Sequence, residues 1–167
     1  RGEEMLALDA LRKAESIVPS ADRSRALGEL ATRVGDLELA KTAYAKVVST
    51  NRNSVTKNPY DSTALAQIYV ETGEAAKALE VLKPERHGND GDRAFQAIAA
   101  SVEARAHRDT NNEEAASAAL DRALGLVKDA APEAALAVSR ACFALGKHAE
   151  GEKIVTQPLN VLMISVP

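Results

Sequence analysis

Three histidines and one cysteine are the residues of this chain best suited to metal or nucleophilic chemistry, and their spacing argues against both. His87, His107 and His148 stand in separate segments, with no HExxH or CxxC spacing to bring two ligands together. Cys142 lies in "SRACFALG" among apolar residues beside Phe143; a small buried hydrophobe explains it, and no base is placed next to it. The run "HGNDGD" (87–92) carries acids and glycines, yet it lacks the ligand alternation and closing Glu of an EF-hand, and no strand or GK[ST] accompanies it, so a turn is expected. Glu3 and Glu4, like Glu113 and Glu114, fall in first turns of expected helices, where the helix dipole accounts for acids without catalysis. These patterns predict no catalytic residue, no metal site and no cofactor, and place any function on surfaces.

The elements that must carry such surfaces are helical. Of 167 residues 46% are hydrophobic, enough to bury a core, while 3% are aromatic and Trp is absent, so the abundant alanine suits closely packed helices better than a sheet. A net charge of −3 with interspersed signs leaves no electrostatic footprint for nucleic acid and no basic block for an anionic membrane. No apolar stretch approaches the ~20 residues of a membrane helix, so membrane insertion is not expected. One cysteine cannot form an internal disulfide, which fits a reducing compartment. Beginning at Arg1 without a methionine or signal sequence, the chain is expected to be a fragment of a longer protein.

The helices come in pairs. "ADRSRALGELATRVGD" places Leu27, Leu30, Ala31 and Val34 at helical spacing before Gly35, and "LELAKTAYAKVVST" places Leu37, Ala40, Tyr44, Val47 and Val48 on one face. The pattern recurs in "DSTALAQIYVETGEAAKALEVLKP", with Leu65, Ile68 and Tyr69 before Gly73, then Ala75, Ala78, Leu79 and Leu82 before Pro84. A third pair presents Phe95, Ile98, Ala99 and Val102, then Ala116, Leu120, Ala123 and Leu124, with "RDTNN" where a turn glycine would stand. A fourth runs from "PEAALAVSRACFALG" through Gly146 to Ile154 and Val155. Residues 3–18 match the second helix of a further, incomplete pair, making about four and a half hairpins over 1–157.

Hairpins repeating at 30-odd residues, as Gly35 and Gly73 do at 38, form an α-solenoid, because one hairpin cannot bury its apolar face alone. The units resemble tetratricopeptide repeats: Leu27 and Gly28 precede Gly35, followed by Ala40 and Tyr44, and the second unit matches with Leu65, Ala66, Tyr69, Gly73 and Ala78. In the fourth unit Ser139 and Gly151 replace the usual small pair. The resemblance implies an all-α, right-handed α-solenoid of antiparallel helix hairpins. Small residues at Gly28, Ala40, Ala66 and Ala78 would let paired helices approach, with Tyr44 and Tyr69 filling space between hairpins. The polar connector "STNRNSVTKNPYDS", longer than the repeat period allows, and the unit after it are similar to the repeat half of bacterial response regulators that couple a receiver domain to tetratricopeptide repeats.

In that family the first helix of each pair lines a concave groove for an extended peptide or a partner helix. Carried over, the groove positions are Arg25, Glu29, Thr32 and Arg33; then Tyr60, Thr63, Gln67 and Glu71; then Arg93, Gln96 and Glu103; and Glu133, Leu136, Arg140 and Phe143. Arg25, Arg33 and Arg140 are candidates to read acidic side chains through a bidentate guanidinium. Tyr60 is expected either to contact a partner or to pack under the connector. The Lys and Asn pattern that clamps a carboxyl terminus in chaperone-binding members is absent. The implied function is a non-catalytic scaffold for a protein or peptide partner, cytoplasmic and an output module in signalling; the alternative is an assembly factor of a pilus or secretion system with a periplasmic address. Pro158 is expected to end the last helix, and the apolar tail 158–167, "PLNVLMISVP", strand-like in composition, to cap the array, to pair with a second copy as a homo-oligomer, or to open a following domain.

Overall fold

The computed structural model describes residues 2–51, 58–83, 93–127 and 131–164, the side chains of 51, 59 and 157–164 excepted. Most of the connector (52–57), Pro84, the "HGNDGD" run with His87, and the last three residues of the tail lie outside the described residues. Nine helices and no strand make up the rest: α1 Gly2–Ile17, α2 Ala21–Val34, α3 Leu37–Asn51, α4 Pro59–Glu71, α5 Ala75–Leu82, α6 Arg93–Asp109, α7 Glu113–Leu126, α8 Pro132–Ala144 and α9 His148–Ile164. They divide into two compact units, Arg1–Glu74 and Ala75–Pro167.

The turns share one construction. At Gly35, Gly73 and Gly146 the backbone is left-handed (φ 87°, 78° and 74°), and in each case the next N–H donates five residues back: Asp36 to Ala31 (2.9 Å), Glu74 to Tyr69 (2.7 Å) and Lys147 to Cys142 (2.8 Å). This Schellman closure satisfies carbonyls that the helix end leaves open. The third turn closes identically, Asn112 N–H to His107 O at 2.9 Å, with Asn111 at φ 58° in the glycine's place. Asn tolerates that conformation better than other side chains do. Helix starts are equally explicit: Ser20, Asn58 and Asn112 accept from Arg23, Tyr60 and Ala115 N–H, and Pro59 and Pro132 open α4 and α8.

Within the first unit, α2 and α3 meet where a side chain is missing. A Cβ added at Gly28 would lie 2.7 Å from the ring of Tyr44, itself 6% exposed, so Tyr44 fills the space over Gly28 inside its own hairpin. Leu27, Ala31, Ala40 and Val47 are buried around it. The first helix is attached differently. Leu8 and Glu15 are the buried residues of α1, and Glu15 accepts from Ser24 Oγ (2.6 Å), Ser20 N–H (3.2 Å) and Lys46 Nζ (2.5 Å), tying α1 to α2 and α3. Lys46 foremost, then Ser24, holds the Glu15 carboxyl down to about 2 against the opposing effect of burial.

The core of the second unit is built from alanine: Ala97, Ala100 and Ala104 of α6 face Ala119, Leu120 and Ala123 of α7 and Ala134, Val138, Ala141 and Cys142 of α8. The Ser139–Gly151 pair closes α8 on α9. Ser139 Oγ, buried, donates to Gly151 O at 2.9 Å, and a Cβ at Gly151 would meet Cys142 and Phe143 at 3.2 Å. Proline does not end the last helix as expected: α9 continues through Pro158 to Ile164. Proline removes one backbone donor, whereas a lone strand without a partner would leave a whole row of backbone groups unpaired. Helix is the less costly conformation for that run.

Two outcomes test this packing. Ala exceeds Gly in helix propensity by about 1 kcal/mol, but overpacking costs about 1–3 kcal/mol. Gly28→Ala is therefore expected to destabilise the chain, and Gly125→Ala, which meets nothing within 4 Å on the exposed side of α7, to stabilise it. Denaturant melts that gave both changes the same sign would refute the close approach. For Glu15 the folded carboxyl lies below its ordinary value of 4.5, so its contribution is complete above about pH 4.5 and is lost as the pH falls toward about 2. Wild type should exceed Glu15→Gln in stability at pH 7, by a margin that shrinks through that window; a margin constant from pH 7 to pH 2 would rule the latch out.

Candidate partner-binding surface

Six of the seven expected contact residues lie in the first unit. Arg25, Glu29 and Arg33 follow one another at four-residue intervals along α2, and Tyr60, Gln67 and Glu71 lie along α4. Glu29, Arg33 and Glu71 are exposed, Tyr60 is 50% exposed, and Gln67 Nε2 donates to Glu71 Oε1 at 3.1 Å. Thr32 Oγ1 turns back to Gly28 O (2.8 Å). Thr63 is not on this surface: it is 4% exposed, with its hydroxyl unpartnered among the described residues.

Arg25 has an internal role. Its Nε and Nη2 donate to the two carboxylate oxygens of Asp61 at 2.7 and 2.9 Å, and Nη1 donates to Asp22 at 2.9 Å. The Asp61 side chain is 4% exposed and that of Arg25 25%, so the fork joins α2 to α4 as a half-buried brace, and Asp61 holds the guanidinium still more firmly protonated. Asp61 went unread in the sequence. As an acid in the first turn of α4 it already had an explanation in the helix dipole, and its partner stands 36 residues earlier. Nearby, burial first and then Glu29 and Asp61 push the Tyr44 hydroxyl up to about 12, so the phenol stays neutral.

Arg140, the seventh, belongs to the second unit. It is exposed on α8, with Leu136 (48% exposed) one turn before it and Phe143 (42%) one turn after. Of the third-pair positions, Arg93 is exposed, whereas Glu103 turns inward: 8% exposed, it accepts from Arg122 Nη2 of α7 at 2.6 Å and lies 3.5 Å from His107 Nε2. The Cys142 thiol is fully buried, and burial pushes it up, away from the thiolate form a nucleophile needs. Among the described residues no group of His, Cys, Asp and Glu is arranged to hold a metal ion, and no helix is long and apolar enough to cross a membrane.

The brace makes a stability prediction. Arg25→Met leaves Asp61 buried without its cation and is expected to cost about 2–3 kcal/mol, whereas Arg25→Met with Asp61→Leu should recover most of that loss. A double variant no more stable than the single one in denaturant melts would show that the pair does not couple.

No protein-family model matches the chain, and no curated protein matches it. A solved structure titled "Crystal structure of MamA" superposes with a TM-score of 0.64 at 16% identity, covering 95% of this chain and 88% of that one. At that identity the likeness concerns fold alone, and together with the hairpins and Schellman turns it identifies an all-helical, tetratricopeptide-like α-solenoid fold.

Proposed function

We propose that the chain is a protein-interaction scaffold that binds a partner protein or peptide along α2 and α4 of its first unit. The observation that carries this reading is the pair of stripes in the first unit, Glu29 and Arg33 on α2 with Tyr60, Gln67 and Glu71 on α4, on helices joined by the Arg25–Asp61 fork. A rigid backing of this kind limits the entropy lost when surface side chains meet a ligand, which is where preorganised binders gain affinity. A half-exposed tyrosine among charged groups suits a protein contact better than a small-molecule pocket. Arg33 is the available cation of this surface; Arg25 acts through the brace. The resemblance of the connector and the repeat after it, 60–79, to receiver-coupled response regulators extends the proposal to signal output, with the repeats passing on the state of an upstream receiver by binding a protein.

Site-specific photo-crosslinking tests the surface. A crosslinker replacing Arg33 or Gln67 is expected to trap a partner from host lysate that one at Thr42, exposed on α3, does not, and Glu29→Arg with Glu71→Arg should abolish the adduct. Identical adducts from all three positions, or adducts indifferent to the charge reversals, would remove the assignment.

A further inference from the structure

The two most exposed large hydrophobic side chains among the described residues both stand on α1, Ile17 at 77% and Leu6 at 72%. Helical phase puts them on one side. Leu8 and Glu15 mark the side of α1 that turns toward α2 and α3, and Leu6 and Ile17 fall on the opposite side with Ala10 and Ala14, also exposed, between them. Asp9 and Lys13, exposed and four residues apart, run along one edge of this face.

The order of these residues selects what can cover them. Leu6 mirrors Ile17 and Ala10 mirrors Ala14 about a point at residues 11 and 12, so the apolar pattern reads nearly the same from either end of the helix. Asp9 and Lys13 are centred on residue 11 with opposite charge. A copy of α1 laid antiparallel therefore sets Leu6 beside Ile17 and alanine beside alanine, and brings Asp9 to Lys13 twice over. A copy laid parallel sets like charge against like. Self-matching of this kind is the requirement of a two-fold interface, in which one patch serves both partners. The central alanines let the two axes come to the close end of helix packing, about 8 Å.

We infer that the exposed face of α1 is a dimer interface whose occupant is α1 of a second copy of this chain, running antiparallel, with Asp9 of each copy paired to Lys13 of the other. This goes beyond the scaffold reading and uses none of its residues. The 16 residues of α1 make a helix about 24 Å long. A contact confined to it falls at the small end of specific interfaces, so the dimer is reversible, with a dissociation constant in the micromolar range. Exposed ion pairs add little to that affinity; their part is to exclude the parallel orientation.

Sedimentation equilibrium of the whole chain tests the interface. Wild type should pass from monomer to dimer mass as concentration rises through the micromolar range, and Leu6→Glu with Ile17→Glu should remain monomeric. Asp9→Lys alone, or Lys13→Asp alone, places like charges at both edge contacts and should weaken association roughly tenfold. An equimolar mixture of those two single variants restores opposite charges at both contacts and should associate at least as well as wild type. All four positions are exposed, so circular dichroism should report unchanged helicity. A wild-type chain that stays monomeric into the millimolar range would give the face to some other helix, such as one preceding this sequence in a longer protein. Association indifferent to the α1 changes would move the contact elsewhere, the tail 158–167 included, and a mixture no stronger than its components would reject antiparallel pairing. Each of these three results overturns the inference, and none bears on the crosslinks from Arg33 and Gln67.

Discussion

Everything in this chain depends on helices approaching each other where a side chain is nearly absent. Gly28 accepts the ring of Tyr44, Gly151 accepts Cys142 and Phe143, and the second unit meets across alanines on three helices. With 3% aromatic residues and no Trp, bulky side chains cannot fill wide gaps, so the gaps must not exist. Close approach in turn demands turns that release each helix at a fixed angle. The repeated left-handed residue with its five-residue-back hydrogen bond supplies that angle.

An alanine core buries less apolar area per residue than one of leucine and phenylalanine, so it leaves more of the specificity to polar links. The first unit places two of them at junctions that sequence separation makes hard to specify otherwise. Glu15 gathers Ser20, Ser24 and Lys46, fastening a helix whose other buried residue is Leu8, and Asp61 takes both arms of Arg25 from a helix 36 residues earlier. Buried ion pairs add modest net stability because desolvation offsets their attraction, yet removing one partner is costly, which makes such pairs better at selecting one arrangement than at strengthening it. The second unit follows the same logic with a neutral pair, Ser139 Oγ to Gly151 O.

Helix positions and pairing were legible because they are local. Apolar spacing and the turn glycines Gly35, Gly73 and Gly146 each act within a few residues, so a single strand of text contains both cause and effect. Asn111 was missed for a different reason: a turn without glycine looks degenerate until the tolerance of asparagine for a left-handed backbone is applied to "RDTNN". Pro158 misled in the opposite sense, since a proline read as a stop was outweighed by the need to pair the backbone of the run that follows. On the surface, the groove positions carried over from the resemblance include Glu29, Arg33 and Arg140, which are exposed, but the resemblance could not tell that Arg25 was engaged or that Thr63 and Glu103 were turned inward. Those facts belong to pairs of helices. Exposure follows helical phase, whereas engagement depends on which side chain the next hairpin brings near.

The same dependence ties surface chemistry to packing. A substitution at Gly151 touches no ligand, yet any added carbon must displace either the α8–α9 contact or the ring of Phe143, and so changes what α8 presents to solvent. Arg25 stands in a comparable relation to the first unit, where loss of the fork would loosen α2 from α4 and with it the stripes of Glu29, Arg33, Tyr60 and Gln67, though none of the four would be altered. In a fold whose helices are held this closely, residues that never meet a partner still position the ones that do. Their effects on binding should therefore appear together with effects on stability, whereas substitutions at exposed Arg33 or Arg140 should alter binding alone.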